Sequence, residues 1–224
     1  MVWLSIVCRN AHLENVPGFP AGVNPRLFAD LLERGAERNG CLFEAGTVTE
    51  LTPEDGGFRL RVEPGAGASE DEKARTLVAD YVVAASWSDP EYLRALDAVG
   101  LVDRGSKSYV ETDDDGRTGM DGLYAAGRIA GKAHQTVVCA GHGADVALTL
   151  VEDADVSFYH DWVAPEGYFT DRGREVPPGC EEIDGAERRR RERESMAVMT
   201  EAFETPHPEE PTTHPSLRDG DGGS

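Results

Sequence analysis

Residues 122–144 read GLYAAGRIAGKAHQTVVCAGHGA, and this stretch decides the fold. Leu123 to Ala126 form an apolar run of strand length, Gly127 breaks it, and from Thr136 to position 151 Ala, Val and Leu dominate, as in a helix packed onto a sheet. A strand, a glycine turn and an apolar helix in that order make half of a dinucleotide-type βαβ unit. Backbone N–H groups at the turn and the positive end of the helix then face an anionic or electron-rich ligand. A glycine turn alone is weak, because many α/β proteins use one merely to seat a helix on a sheet. The rest of the chain has to support the assignment.

Working upstream, residues 77–85 (LVADYVVAA) are almost unbroken in hydrophobicity and predict a strand covered on both faces. Residues 89–99 predict a short helix, capped by Asp89 with Pro90 at its first position. A brief strand over 109–112 and a turn at Asp113-Asp114-Asp115-Gly116 lead into the glycine stretch. Further back, Asn24 and Pro25 open a helix in which Leu27, Phe28, Leu31, Leu32 and Ala36 recur at helical spacing until Asn39-Gly40 stops it. Residues 41–51 and 57–63 predict an antiparallel pair around Pro53-Glu54-Asp55-Gly56, and 64–73 a solvent loop. Residues 2–8 predict a short buried strand, whereas 14–22 (ENVPGFPAG) hold too many prolines and glycines for a regular element.

Composition narrows the function. Lys and Arg total 22 of the 224 residues against 42 Asp and Glu, a net charge of −20 that repels phosphate backbones and anionic membranes. Nucleic-acid and membrane partners are therefore not expected. Only three of the basic residues are lysines, Lys73, Lys107 and Lys132, and the acids are spread along the whole chain, so the balance reads as halophilic adaptation. The four cysteines lie far apart without a CxxC pair, which argues against a dithiol centre or zinc ribbon and fits a reduced, cytoplasmic setting. No GxSxG, HExxH or GxxxxGK[ST] occurs, so hydrolase and nucleotide-triphosphatase chemistry lacks support.

The stretch 122–144 resembles the second FAD-binding motif of the pyridine nucleotide-disulfide oxidoreductases, most closely that of thioredoxin reductase-like flavoproteins. Residues 14–20 (ENVPGFP) resemble the ENxPGFP loop of that family, 47–51 (TVTEL) its adenine-side strand, and 81–86 (YVVAAS) its VIIATG strand. All follow the family order, from about residue 11 to 151. The resemblance implies an α/β FAD/NAD(P)-binding fold of the two-dinucleotide-binding-domain type, with an antiparallel β insert and a C-terminal helix. It also implies FAD as cofactor. Asn15, Gln135 and the backbone at Gly127 would hold the flavin, Val48 would lie at the adenine side, and His134 with the helix opening at Thr136 would tune the ring. The activity implied is flavin-dependent transfer of hydride or electrons to an unknown acceptor.

Three departures from the family are visible. Arg128 stands where the family has an Asp that accepts from the ribityl chain, and a guanidinium only donates, so its contact is expected to change, for instance to the pyrophosphate. The GxGxxG fingerprint is absent from the thirteen residues before the ENVPGFP loop, so the fold is expected to lack its first βαβ unit. No segment corresponds to the nicotinamide domain, so any reductant has to dock from outside. The alternative is an inactive remnant serving as a binding or dimerisation module, or the same cleft adapted to a different nucleotide or lipid.

The expected organisation is an incomplete FAD-binding domain over 1–152, an aromatic segment with a charged helix over 153–204, and a disordered tail over 205–224. His134 is either a surface histidine or a neighbour of flavin N1, and its position favours the latter. His142, between Gly141 and Gly143, predicts a packing or dimer-contact role, and Cys139 a buried thiol. His160 and Asp161 are adjacent and would point apart on a strand, so a structural role is expected. The arginines 188–191, surrounded by glutamates, predict a self-paired helix face. No residue stands out as a proton-transfer catalyst.

Overall fold

The structure is a computed structural model that describes residues 6–65, 68–69 and 71–211. The chain divides into two compact units, one running to Leu150 and the other spanning Val151–Pro208. In the first unit, helix α1 (Pro25–Arg38) begins where the capping residues direct it: Asn24 Oδ1 accepts from the N–H groups of Arg26 at 2.9 Å and Leu27 at 3.3 Å. Its buried face carries Phe28 and Ala29 and also Arg26, which is 4 % exposed. Arg26 Nη1 donates to the carbonyls of Cys8 at 2.8 Å and Asn10 at 3.3 Å, which ties the preceding segment to the helix. That segment is a 3-10 helix over Val7–Arg9. The strand expected over 2–8 is thus not seen at 6–8, and positions 2–5 lie outside the described residues.

Leu13 and Val23 form an isolated antiparallel bridge, with N–H to carbonyl distances of 3.0 and 2.9 Å, and cluster with Phe28, Val16 and Phe19. The proline- and glycine-rich loop between them is therefore clamped at its base. Strands β1 (Thr47–Glu54), β2 (Gly57–Glu63) and β3 (Arg75–Ala79) make an antiparallel sheet in the order β1-β2-β3. The first hairpin starts later than expected, at Thr47 rather than 41, and keeps Pro53 and Glu54 in the strand, so the turn is Asp55-Gly56 alone.

The apolar run 77–85 is not one strand. Its first part belongs to β3, and after Asp80 and Tyr81 it continues as β4 (Val82–Ala84), which pairs in parallel with β7 (Leu123–Ala125). Hydrophobicity alone does not mark where a chain leaves one sheet for another, and β3 alternates between half-buried and exposed rather than being covered on both faces. The helix expected over 89–99 is a 3-10 helix over Glu91–Leu93 followed by further turns, in which Leu96 N–H donates to Leu93 and Val99 N–H to Leu96. Spacing of three serves both geometries, and Leu93, Leu96 and Val99 reach the core either way. The brief strand expected near 109 is β6 (Lys107–Val110), paired with β5 (Leu101–Arg104) around Gly105, whose φ is +65°. Leu51, Phe58, Ala84, Leu93, Leu123 and Ile129 anchor the main core under these sheets.

Helix α2 (Thr136–Asp153) buries a stripe of His142, Val146 and Thr149. Val137, Val138 and Leu148 of the same helix are 44, 41 and 54 % exposed. In the second unit, β8 (Val163–Pro165) pairs in parallel with β9 (Glu181–Ile183), and helix α3 (Gly185–Phe203) is capped by Asp184, whose Oδ1 accepts from Ala186 at 2.8 Å and Glu187 at 2.7 Å. The charged segment thus begins as a short strand before it turns helical. Arg188, Arg190 and Arg191 of α3 pair with Glu187, Glu192 and Glu194 at i,i+3 and i,i+4 spacing, the self-paired face expected, and Arg191 also reaches Glu181 on β9. Residues 212–224 of the expected tail lie outside the described residues, among which no helix is long and apolar enough to cross a membrane.

Candidate functional site

The parallel pair β4–β7 aims the glycine turn. Beyond the last strand residue, Ala126 N–H donates to Ala84 at 2.8 Å, and the chain then reverses at Gly127, where φ is +69°. That left-handed backbone suits glycine, because a Cβ there would crowd the following carbonyl. The Gly127 N–H donates to Nδ1 of buried His142 at 2.9 Å, a bond that spans from the turn to the middle of α2. Burial and the charge of Lys132 push the His142 imidazole below its ordinary pKa, so it stays neutral and can accept there. A 3-10 helix over Gly127–Ala130 seats Ile129 in the core, and the chain reaches α2 through Ala133, His134 and Gln135.

At the start of α2 the Gln135 carbonyl accepts from Cys139 N–H at 2.9 Å. The N–H groups of the helix's first turn, from Thr136 on, have no intrahelical acceptor and carry the positive end of its dipole. Into this region comes Asn15, from the clamped loop 120 positions upstream: its Nδ2 donates to Gln135 Oε1 at 2.6 Å, and both side chains are exposed. His134 is also exposed and meets Trp87 edge-on, with ring centroids 5.9 Å apart. Asn15, His134, Gln135 and Thr136 are thus brought to one place. Val48 belongs to another element, opposite Val62 in the β1–β2 ladder beside a bulge.

Arg128, whose contact was expected to change, bonds to groups of the protein itself. Its Nη1 donates to the Lys132 carbonyl at 2.9 Å, its Nη2 bonds the Tyr109 hydroxyl, and its guanidinium lies 4.8 Å from the Tyr109 ring centroid and 5.6 Å from that of Trp87. The side chain is a strut between the turn and β6. Trp87 and Tyr109 carried no signal as single aromatics in the sequence, and only the fold places them around Arg128. His142 was legible as a packing residue, but its acceptor role for Gly127 depends on the turn of α2 that faces the glycine. Cys139 is half-buried, with its thiol pushed up by burial, and all four cysteines are unpaired. A raised thiol pKa makes a poor nucleophile. Among the described residues no group of three His, Cys, Asp or Glu could hold a metal ion.

No protein-family model matches the sequence, and no curated protein matches it. Solved structures do. The thioredoxin reductase of Streptococcus pyogenes MGAS5005 superposes with a TM-score of 0.54 at 10 % identity, over 66 % of this chain and 86 % of its own. The Lactococcus lactis thioredoxin reductase, in its FR conformation, gives 0.53 at 10 % identity over 66 % and 86 %. The atypical thioredoxin reductase TRi from Desulfovibrio vulgaris Hildenborough gives 0.52 at 16 % identity over 68 % and 88 %. Over about two thirds of its length, the chain has the mixed α/β, FAD/NAD(P)-binding fold of the thioredoxin reductases.

Proposed function

We propose that residues 1–152 form an FAD-binding domain and that the protein is a flavin-dependent oxidoreductase, which exchanges electrons or hydride with an external donor and an external acceptor. The observation that carries this reading is the Asn15–Gln135 hydrogen bond, which joins two exposed amides from opposite ends of the domain beside a helix N-terminus. Such a pair fits the polar edge of a flavin, since amide groups both donate and accept and the helix end favours negative charge on the reduced ring. The left-handed turn at Gly127 fits the close backbone approach a ribityl chain needs. FAD, when bound, supplies reversible hydride and electron transfer. The chain's own residues then have separable tasks: Asn15 and Gln135 orient the ring, the Gly127 backbone approaches the ribityl chain, and Val48 lies at the adenine side. The N-terminus of α2 at Thr136 adds positive potential, and His134 lies beside it to tune the ring.

The exposed apolar residues of α2, Val137, Val138 and Leu148, support a homodimer as the working assembly. The acidic, lysine-poor composition supports a salt-adapted, cytoplasmic protein. A second reading, a non-catalytic binding module, is favoured by Arg128, whose donors go to Tyr109 and Lys132 and which supplies no acceptor for a ribitol hydroxyl. The test is the visible spectrum of the purified chain after incubation with FAD and desalting. Retained, near-stoichiometric flavin is expected, with Asn15→Ala and Gln135→Ala each weakening its binding about tenfold, the worth of a lost polar contact. A colourless protein with no saturable affinity for FAD leaves the binding-module reading in its place.

A further inference from the structure

The second unit holds a feature that the flavin reading leaves unused. Between the segment before β8 and the loop after it lies an open cleft of about 520 Å³ whose apolar part is Tyr159, Trp162, Tyr168 and Phe169. The last three rings meet edge to face, with centroids 4.4 to 5.7 Å apart, so they hold one another at fixed angles. Arg172 and Arg174 also line the cleft, with His160 and a single acid, Asp161. The Arg172 guanidinium lies 4.1 Å from the Tyr168 ring centroid, and its Nε bonds the Tyr168 carbonyl, so the fork is oriented beforehand. In a chain of net charge −20, a cleft with two arginines and one carboxylate is locally inverted in sign.

The loop that carries these groups is also fixed from beneath. Glu182, on β9, accepts from the backbone N–H groups of Gly167 at 3.0 Å, of Phe169, and of Thr170 at 3.0 Å, and from the Thr170 hydroxyl at 2.8 Å. One carboxylate thereby pins the turn between Tyr168 and Arg172. A pinned loop loses little conformational entropy when something binds to it.

We propose that this cleft is a binding site for a small aromatic carboxylate, with the planar body against Trp162 and Tyr168 and the carboxylate on Arg172 and Arg174. The volume suits a small molecule rather than a polymer. A guanidinium matches a carboxylate with two parallel hydrogen bonds, and aromatic walls favour a planar body over an aliphatic one. The site stands independently of flavin binding.

The test uses the full chain, with binding followed by titration calorimetry at fixed ionic strength. The probes are indole-3-acetate, its neutral amide and tryptamine, three ligands with one ring system and different charge. Saturable binding of indole-3-acetate is expected, about tenfold weaker for the amide and absent for tryptamine, as charge-assisted hydrogen bonds dictate. Arg174→Ala, on an exposed side chain, should weaken indole-3-acetate binding about tenfold with an unchanged circular dichroism spectrum, and Arg172→Lys should weaken it by removing the fork. No saturable binding of indole-3-acetate, equal binding of all three probes, or indifference to both substitutions overturns the proposal. So does adenosine monophosphate binding where indole-3-acetate does not.

Discussion

At the scale of single residues, two glycines of the same motif have opposite roles. Gly127 sits at φ +69°, while Gly141 lies within α2 with ordinary helical backbone and nothing within 4 Å of where a Cβ would stand. Gly127→Ala is expected to destabilise the fold by about 1–2 kcal/mol, the cost of left-handed backbone for a residue with a Cβ. Gly141→Ala is expected to stabilise it by about 0.5–1 kcal/mol, because glycine is a poor helix former. Urea unfolding of both variants checks the pair, and equal effects would contradict the assigned turn. The sequence marks Gly127 as the break after a strand, places Gly141 inside a helix, and flags Asn15 and Gln135 as candidates. It did not show the His142 bond to Gly127, since that depends on which side of α2 meets the turn, a property of packing and not of composition.

At the scale of elements, β9 and the loop it pins give a pH prediction. Partial burial raises the Glu182 carboxyl, but the hydrogen bonds from Phe169, Thr170 and Gly167 outweigh it and hold the group down at about 2. A carboxyl lowered in the folded state contributes stability that is fully present above its unfolded value of 4.5 and disappears as pH falls toward about 2. The environment of Trp162 should therefore change over that window, read by near-ultraviolet circular dichroism, and Glu182→Gln should show the acid-like signal already at neutral pH. A transition that Glu182→Gln leaves unmoved would assign it to other carboxylates, Glu187 first, which its hydrogen bonds from Arg190 and Arg191 also hold at about 2. Element by element, α1 was legible from its cap and helical spacing and α2 from its apolar run after a glycine turn, all of them local signals. The split of residues 77–85 into β3 and β4 was not, because a strand's partner is a distant segment.

At the scale of the whole molecule, the excess of negative charge dominates. Self-repulsion among carboxylates opposes the compact state, and salt shortens its reach from about 10 Å at 0.1 M to about 3 Å at 1 M. The thermal midpoint is expected to rise as potassium chloride goes from low to molar concentration, and a midpoint that stays level or falls would remove the halophilic reading. Composition fixed this charge without any knowledge of the fold, and the local motifs likewise determined the glycine turn, the caps and the two stretches that carry the family likeness. Only the tertiary structure decided that Asn15 reaches Gln135, that Arg128 is spent on Tyr109 and Lys132, and that aromatic and basic groups of the second unit share a cleft. The reason is physical. Capping, turn and charge preferences act over a few residues and are written in order along the chain, whereas contacts between remote side chains arise from packing the elements together, which no short stretch encodes.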